Sequence, residues 1–253
     1  MLSSRTVKEL VRNSIRKVGL GGLHVEIRKA MGENVDHLLQ HSLADRFAAV
    51  YKNRVWLNRR QSGALSGLGS EIANTCIIRD QLPQLLESLG TRTLLDIGCG
   101  DFNWMKEIRL PCAYVGIDIV RDLIEVTAIR YGGEGRQFRA LDATREPLPR
   151  ADAVLCREVL FHLSFEDIWS LVENVRRSGT SFFIATTDSD LRLNADIVSG
   201  DFRFLNLRRA PFWFPAPSFS MWDNAVAADR VLAGWEVTNL PARRHRPHGA
   251  SKR

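Results

Sequence analysis

The sequence has few cysteines, and their spacing is not that of a metal site or a disulfide framework. The chain has 253 residues and four cysteines, which are Cys76, Cys99, Cys112 and Cys156. Zinc sites and small disulfide-stapled folds need cysteines in close pairs or at regular spacing. We therefore predict no bound metal, and reduced thiols of the kind that is usual in a cytoplasmic protein.

Long hydrophobic runs are also absent. A membrane-spanning helix needs about 18–20 consecutive apolar residues, and the chain has no such run. Near the N-terminus, Arg5, Lys8, Glu9 and Arg12 interrupt any apolar segment of the kind that a signal peptide requires. The sequence therefore predicts a cytoplasmic protein with neither a spanning helix nor a secretory signal.

The body of the chain has no excess of positive charge, although the net charge of the whole chain is +6. Residues 1–30 contain seven Lys or Arg and two Glu, and residues 241–253 contain five Lys or Arg and no acid. Residues 31–240 therefore carry an excess of four negative charges. A body that grips nucleic acid needs a basic face of its own, so this balance does not require a nucleic-acid partner. The basic segment 241–253 is predicted to be a disordered tail.

The first 90 residues are predicted to be a helical extension. Residues 6–18 place apolar side chains at three- and four-residue steps, with lysines and arginines between them, as in an amphipathic helix. Such a helix packs on its own domain or on a second subunit, or else it contacts an anionic membrane surface. Residues 34–60 predict one or two more helices, whose buried stripe consists of Val35, Leu38, Leu39, Leu43, Phe47 and Val50.

A Gly/Ser loop over residues 62–70 connects this extension to a helix predicted over residues 71–89. The loop enters the following domain from upstream, so it is placed to fold over a ligand there. Free backbone N–H groups in such a loop can hold a carboxylate. The alternative is that the loop only connects two helices.

The most informative run is residues 93–104, Thr-Leu-Leu-Asp-Ile-Gly-Cys-Gly-Asp-Phe-Asn-Trp. Its apolar start is typical of a buried parallel strand. Gly98 and Gly100 lack a Cβ, so the backbone can turn sharply there and approach a ligand closely. Asp101 is placed to cap a helix predicted over residues 103–109. A strand, a Gly-x-Gly turn and a helix together predict a nucleotide-type binding site.

Acidic residues follow three successive predicted strands. Asp96 precedes the glycine turn, Asp118 ends the strand over residues 114–118, and Asp142 ends a strand near residues 139–143. The Asp118 carboxylate can accept two hydrogen bonds from a ribose diol. Because the carboxyl ends of parallel strands meet at one edge of a sheet, we expect the three acids at one ligand site.

Two classes of nucleotide cofactor compete for this site. A dinucleotide fingerprint needs a third glycine, which would fall at position 103, where the chain has Asn103. An acid before the first glycine also suits a cofactor with a cationic amino-acid end better than an anionic diphosphate. The pattern Asp-x-Gly-x-Gly resembles motif I of class I S-adenosylmethionine-dependent methyltransferases, although Phe102 stands where many members have a third glycine. A non-catalytic or dinucleotide-binding module is the alternative.

The resemblance implies S-adenosylmethionine as the cofactor, with the position of Asp142 holding the adenine. The longer run Gly-Cys-Gly-Asp-Phe-Asn-Trp-Met and parts of residues 155–164 and 205–212 are similar to an uncharacterised bacterial group of these enzymes. This similarity covers about residues 45–240 and implies no particular acceptor. The residues expected at the cofactor are Asp96, Gly98, Cys99, Gly100, Asp118, Ile119, Asp142, Ala143 and Arg157.

The fold class predicted from residue 93 onward is α/β. Strands and helices alternate, which predicts a Rossmann-like, doubly wound and mostly parallel sheet. We expect seven strands in a methyltransferase domain over residues 91–240, with the last strand antiparallel. The remaining predicted elements are strands over residues 151–156, 182–185, 202–208 and 234–237 and helices over residues 121–131 and 165–178.

The segment after the fourth strand, residues 156–163, is the first place where substrate chemistry is expected. In class I methyltransferases this segment faces the sulfonium methyl group. The Asn/Asp-Pro-Pro-Tyr motif of many amino-methylating enzymes is absent here. His162 is the predicted catalytic proton acceptor, because a neutral imidazole can take a hydroxyl proton near pH 7. Glu158 is the second candidate, and the alternative for both is a purely structural role.

Residues 200–222 are the second such place. They hold seven of the chain's 21 aromatic residues and three of its nine prolines, so they offer large and rigid apolar faces. The segment is expected to wall an acceptor pocket or to fill the core under the sheet edge. Arg203, Arg208 and Arg209 are candidates for binding a phosphate or carboxylate of the acceptor.

The sequence therefore predicts methyl transfer from S-adenosylmethionine to a hydroxyl or carboxylate oxygen of a small-molecule or glycan-like acceptor. An RNA methyltransferase guided by the basic ends is the alternative acceptor class. The resemblance does not choose between a hydroxyl and a carboxylate.

Overall fold

The central element is one seven-stranded sheet with helices on both faces. The computed structural model of the chain describes residues 21–56 and 63–243, so the predicted helix over residues 6–18 and most of the basic tail lie outside it. The helices are α1 (Gly21–Ala30), α2 (Leu43–Lys52), α3 (Cys76–Ser88), α4 (Arg121–Tyr131) and α5 (Phe165–Arg177). The strands are β1 (Thr93–Ile97), β2 (Ala113–Asp118), β3 (Arg136–Ala140), β4 (Ala153–Cys156), β5 (Phe182–Asp188), β6 (Phe219–Trp222) and β7 (Arg230–Glu236).

The strand order is β3-β2-β1-β4-β5-β7-β6. Strands β1 to β5 pair in parallel, and β7 is antiparallel to both of its neighbours, β5 and β6. The chain order reverses beside β1, where ligands bind in sheets of this kind. The predicted mostly parallel, doubly wound sheet with an antiparallel last strand is confirmed.

Successive residues of the central strands face opposite cores. Leu95 and Val154 pack with α5 on one face, whereas Leu94 and Leu155 pack with α3 on the other. Because the central strands are buried on both faces, their sequences are continuous runs of apolar residues. Phe47 of α2 lies in the same core as Leu95, so the N-terminal segment packs directly on the sheet.

Two helix ends are fixed by serine caps. The Ser42 hydroxyl accepts from the Asp45 amide at 3.0 Å where α2 begins. The Ser164 hydroxyl accepts from the Asp167 amide at 3.1 Å where α5 begins. Each cap satisfies one of the amides that a helix start leaves unpaired, and both α2 and α5 border the cavity described below.

The structure corrects four predicted details. The sixth strand is Phe219–Trp222 and not residues 202–208. The predicted helix over residues 103–109 is reduced to a single 3-10 turn, Met105–Glu107, because Phe102 adopts a left-handed φ of 59° and the Asp101 side chain binds elsewhere. The predicted helix over residues 71–89 begins later, at Cys76, after two 3-10 turns. Leu39, predicted to be buried, is exposed.

Among the described residues, no helix combines the length and the apolar character that crossing a membrane requires. The same residues bring no group of three or more His, Cys, Asp or Glu side chains together for a metal ion.

Candidate functional site

A cavity of about 450 Å³ lies at the carboxyl ends of the central strands. This size falls in the range of about 300–1,000 Å³ that is usual for small-molecule sites. Its floor comes from the ends of β1, β2 and β4 and the turn after β3. Its cover comes from α2 and the Gly/Ser loop, and its far wall comes from Phe202, Phe204 and Arg230.

The glycine turn after β1 requires glycine for two reasons. Gly98 has a left-handed φ of 73°, and a Cβ there would lie 2.4 Å from a methyl group of Val159. The Gly98 and Cys99 amides both donate to the Ile117 carbonyl, at 2.8 and 3.1 Å. The turn is therefore fastened to β2, and its backbone forms part of the cavity floor.

Asp118 reaches the cavity and also fastens the turn. Its carboxylate accepts from the Gly100 amide at 3.1 Å and from the Val120 amide at 3.0 Å. Burial raises the pKa of Asp118, and the hydrogen bonds from backbone amides oppose that rise. A carboxylate offers about four lone-pair sites, so Asp118 keeps acceptor capacity for a ligand hydroxyl.

Asp96, Cys99 and Gly100 support this turn from behind and do not line the cavity. The Asp96 carboxylate accepts from the Tyr114 hydroxyl at 2.7 Å, and burial raises the pKa of Asp96 to about 7. Burial also raises the pKa of the Cys99 thiol. Gly100, with a φ of 57°, packs against the Ser66 hydroxyl. Direct contact of these three residues with a cofactor stays a prediction.

Asp142, Ala143 and Ile119 line the cavity, as predicted, but β3 ends at Ala140, so Asp142 lies in the turn after this strand and does not end it. Asp142 also forms a turn of its own, because its Oδ1 accepts from the Thr144 amide at 2.9 Å and from the Thr144 hydroxyl at 2.6 Å. The Ala143 carbonyl accepts from the Asn174 side chain of α5 at 3.0 Å. The turn is thereby held in place, and its cavity side remains open to a ligand.

The Gly/Ser loop lies over the glycine turn, and Asp101 holds it there. Asp101 accepts from the Leu65 amide at 2.6 Å and from the Ser66 hydroxyl at 2.9 Å. The Tyr51 hydroxyl of α2 lies 3.1 Å from the same serine oxygen. Residues 66–70 consequently form one wall of the cavity. The predicted role of this loop's amides in holding a ligand carboxylate stays a prediction.

Arg157 lines the cavity, but its guanidinium is largely engaged by protein groups. It forms a bidentate pair with Asp223 at 2.8 Å through Nε and Nη2, and both side chains are almost fully buried. Nη1 donates to the Gly69 carbonyl at 2.8 Å, and the group lies 4.8 Å from the Trp104 ring centroid. Arg157 therefore fixes the Gly/Ser loop, and its predicted contact with the cofactor stays a prediction.

Glu158 lies at the inner end of the cavity in a strained conformation. Its φ is 61°, and its amide donates to the Thr186 hydroxyl at 2.9 Å. Its Oε1 accepts from Arg230 Nη1 at 2.9 Å, and Arg230 Nε donates to Asp188 at 3.1 Å. Burial raises the pKa of Glu158, while the charges of Arg230 and Arg157 oppose the rise. Non-glycine residues with positive φ are uncommon outside functional sites and tight turns.

His162 lines the cavity between aromatic rings. Its ring stacks on Trp56 at 4.6 Å and contacts Phe161 and Phe202. Nδ1 lies 2.9 Å from the Asp201 carbonyl oxygen. Because a carbonyl only accepts, Nδ1 carries the proton and Nε2 is the basic nitrogen. Burial lowers the pKa of His162 to about 4, so the imidazole is neutral at pH 7 and is a weak base.

The segment over residues 200–222 is divided between two places. Phe202 and Phe204 line the main cavity. Arg203, predicted to bind an acceptor anion, is fully buried and donates to the Leu163 and Leu160 carbonyls at 2.6 and 3.3 Å. Its guanidinium binds these backbone carbonyls inside the protein, so the prediction that Arg203 binds an anionic group of the acceptor is wrong. Arg208 and Arg209 lie at a separate cavity beside Trp222 and Trp235.

Sequence reasoning missed four residues of the site: Trp56, Asp188, Asp223 and Arg230. Of these four residues, Arg230 is the one that the sequence could have indicated. It lies in the apolar strand β7, and a charged residue in such a strand is rarely buried without a partner. The other three approach the site from distant parts of the chain, and nothing in their local sequence marks them.

The chain resembles known proteins both in its sequence and in its fold. Residues 95–181 match a family model described as "Methyltransferase domain". No curated protein matches the chain, whereas 791 solved chains do. The Burkholderia thailandensis 1,6-didemethyltoxoflavin-N1-methyltransferase, solved with 1,6-didemethyltoxoflavin and S-adenosylhomocysteine, is 17% identical, with a TM-score of 0.52 over 77% of this chain and 86% of that one. The Bradyrhizobium japonicum WM9 N-methyltransferase NodS is 14% identical, with a TM-score of 0.48 over 66% and 98%.

The matched range runs from β1 to the residue before β5, so it contains the glycine turn and all the strand ends that carry the predicted cofactor residues. The likeness to the Burkholderia enzyme confirms the fold class. The domain match identifies residues 95–181 as a methyltransferase domain.

Proposed function

We propose that this enzyme methylates an oxygen atom of a small-molecule or glycan-like acceptor. The observation that carries the proposal is the cavity itself, whose lining combines the strand-end residues of a nucleotide-type site with Glu158, His162, Phe202 and Phe204. The absence of an Asn/Asp-Pro-Pro-Tyr motif after β4 argues against the amino-methylating enzymes that use it.

The residues present fit S-adenosylmethionine. We assign Asp118 to the ribose hydroxyls, the turn at Asp142 and Ala143 to the adenine, and the glycine turn and Gly/Ser loop to the amino-acid end. The bound cofactor supplies a methyl group on a positively charged sulfur. The protein aligns the acceptor with that methyl group and keeps water out, which is the main source of rate enhancement in a displacement of this kind.

Calorimetric titration with S-adenosylhomocysteine tests the cofactor half of the proposal. The wild-type protein is expected to bind, and Asp118→Ala is expected to lose about 1–3 kcal/mol of binding free energy, the range for removing hydrogen bonds to a charged group. Asp122→Ala, an exposed acid on α4, is the matched control and should bind like wild type. Folded wild-type protein that does not bind at near-millimolar ligand would contradict the proposal.

A further inference from the structure

A second cavity lies on the antiparallel part of the sheet, formed by β5, β7 and β6. Its volume is about 550 Å³, which is also within the range of about 300–1,000 Å³ that is usual for small-molecule sites. It shares no lining residue with the cavity at the carboxyl ends of the central strands. Neither the cofactor nor the methyl acceptor is assigned to it, so its shape and charge concern a further ligand.

The floor of the second cavity is one face of these three strands. Thr187 of β5 is paired in register with Val231 of β7, and Val231 is paired with Trp222 of β6. Ala233 of β7 is paired with Ser220 of β6. Residues paired across a sheet, and residues two apart on a strand, lie on the same face. All five line the cavity, which therefore rests on a hydrogen-bonded sheet.

The wall of the second cavity belongs to the segment between β5 and β6, and its backbone is fixed. The Asn206 Oδ1 atom accepts from the Arg208 amide at 3.0 Å, and the Asn206 carbonyl accepts from the Arg209 amide at 3.1 Å. Farther along, the Pro215 carbonyl accepts from Trp235 Nε1 at 3.0 Å. The backbone that carries both arginines is thus already in place, and a ligand need not order it.

The charge of the second cavity is positive. Arg208 and Arg209 line it and are exposed, and none of its described lining residues is an aspartate or a glutamate. Within residues 21–56 and 63–243, neither guanidinium group has a hydrogen bond or an ion pair with a protein group. Two uncompensated positive charges in one concave site attract an anion, although residues 31–240 as a whole carry an excess of negative charge.

Trp222 gives the same cavity a flat apolar surface. This residue lies on the outermost strand and is 54% exposed. An indole ring offers a large and rigid face against which another ring can pack. The site therefore combines two anion-binding groups with a surface for a ring. The basic ends of the chain, residues 1–30 and 241–253, have charge of the same sign as the two arginines and do not complement them.

The two arginines match a phosphate better than a carboxylate. A phosphate monoester carries about −1.5 to −2 charges at pH 7 and has three strong acceptor oxygens. A carboxylate carries a single negative charge on two oxygens. Two adjacent guanidinium groups supply two positive charges, and the fork geometry of each fits phosphate oxygens. A phosphate monoester is therefore the better complement in both charge and hydrogen bonding.

We propose that the second cavity binds a phosphorylated ring compound, with its phosphate held by Arg208 and Arg209 and its ring packed against Trp222. The inference goes beyond the proposed function, because this site has no residue in common with the methyl-transfer cavity. Nucleotides and sugar phosphates both have this chemistry, and the experiment distinguishes them.

Calorimetric titration of the full-length protein tests the ligand class. The titrations are made at saturating S-adenosylhomocysteine, so that the first cavity is filled. AMP and glucose 6-phosphate are the two ring phosphates, adenosine and glucose are their unphosphorylated forms, and inorganic phosphate lacks a ring. At least one ring phosphate is expected to bind about tenfold tighter than both its unphosphorylated form and inorganic phosphate, since hydrogen bonds to a charged group are worth that much.

The ring phosphate that binds more tightly identifies the source. Preference for AMP indicates a nucleotide, and preference for glucose 6-phosphate indicates a sugar phosphate. The proposal is overturned if neither compound binds at near-millimolar concentration. It is also overturned if the unphosphorylated forms or inorganic phosphate bind as tightly as the ring phosphates.

A double variant assigns the binding to the second cavity. Arg208→Gln with Arg209→Gln is expected to weaken binding of the ring phosphate at least about tenfold and to leave S-adenosylhomocysteine affinity unchanged. Arg109→Gln with Arg150→Gln removes the same charge at exposed positions outside both cavities and is the matched control. Equal affinity in the two double variants overturns the assignment.

Trp222→Ala tests the ring contact separately. Affinity for the ring phosphate should fall toward that for inorganic phosphate, because the flat surface is lost. Trp213→Ala is the matched control, since Trp213 is 59% exposed and does not line the cavity. Thermal unfolding curves verify that both variants are folded. Equal affinity of Trp222→Ala and Trp213→Ala for the ring phosphate refutes the role of Trp222 and overturns the proposal.

Discussion

At the scale of single residues, the requirement for glycine at position 98 is the prediction that is tested most directly. Gly98→Ala adds a methyl group where φ is 73° and where Val159 is 2.4 Å away. Gly179→Ala is its matched control, because Gly179 has a φ of 77° with no atom within 4 Å of the added Cβ. Gly179→Ala is expected to cost about 1–2 kcal/mol in unfolding free energy, the cost of the left-handed conformation alone.

Gly98→Ala should cost clearly more in the same urea titrations, because the clash with Val159 adds to the strain. It should also abolish binding of S-adenosylhomocysteine, since the turn must shift away from β2. Equal losses of stability in the two variants would show that the turn accommodates a side chain.

Single residues also show where sequence reasoning succeeds. Gly98, Asp118, Ile119, Asp142 and Ala143 were all predicted at the cofactor and all line the cavity. They were predictable because each lies at the end of a parallel strand or in the turn just after it, and the carboxyl ends of parallel strands meet at one edge of the sheet. The geometry of Glu158 with Arg230 was not predictable, because the two lie 72 residues apart and meet only through the pairing of β7 with β5.

At the scale of elements, the Gly/Ser loop depends on Asp101. Asp101→Ala removes the acceptors of the Leu65 amide and the Ser66 hydroxyl, so the loop should open more often. We expect faster hydrogen exchange in residues 63–70 and weaker binding of S-adenosylhomocysteine, by about 1–3 kcal/mol. Glu107→Ala, an exposed acid on the neighbouring 3-10 turn, is the control. Unchanged exchange in the loop would contradict the role given to Asp101.

The misplaced sixth strand has a physical reason. Side chains, and not a neighbouring strand, satisfy much of the backbone between β5 and β6. The Asn206 side chain donates to the Ser189 and Leu191 carbonyls, and the Asn194 side chain donates to the Asn206 and Ala210 carbonyls. An alternation of apolar residues over 202–208 resembles a strand, but it does not show where the hydrogen bonds go. The real strand, Phe219–Trp222, pairs with β7 instead.

At the scale of the whole molecule, burial of acids makes stability depend on pH. Burial raises the pKa of Asp96 from 3.8 to about 7, so the folded protein binds this proton more tightly than the unfolded chain does. The contribution of Asp96 to stability is full below about pH 4 and is lost as pH rises through about 7. The loss amounts to roughly 4 kcal/mol, on a total that is typically about 5–15 kcal/mol.

Asp96→Asn should remove this dependence, because the amide has no proton to lose and its oxygen still accepts from Tyr114. In urea unfolding curves between pH 5 and pH 8, the variant is expected to gain stability relative to wild type as pH rises. Glu125→Gln should follow the wild-type curve. A constant difference between Asp96→Asn and wild type at every pH would refute the explanation.

The position of β3 at one end of the sheet also bears on how the molecule behaves in a concentrated solution. A free strand edge offers unpaired N–H and C=O groups to any other chain, and natural proteins protect such edges with charged side chains. The exposed residues of β3 are Arg136, Gln137 and Arg139, so two such molecules meeting edge to edge would bring four guanidinium groups together. The other edge, β6, spans four residues. Neither edge is a good template for strand addition, and this protects the enzyme against aggregation without involving its active site.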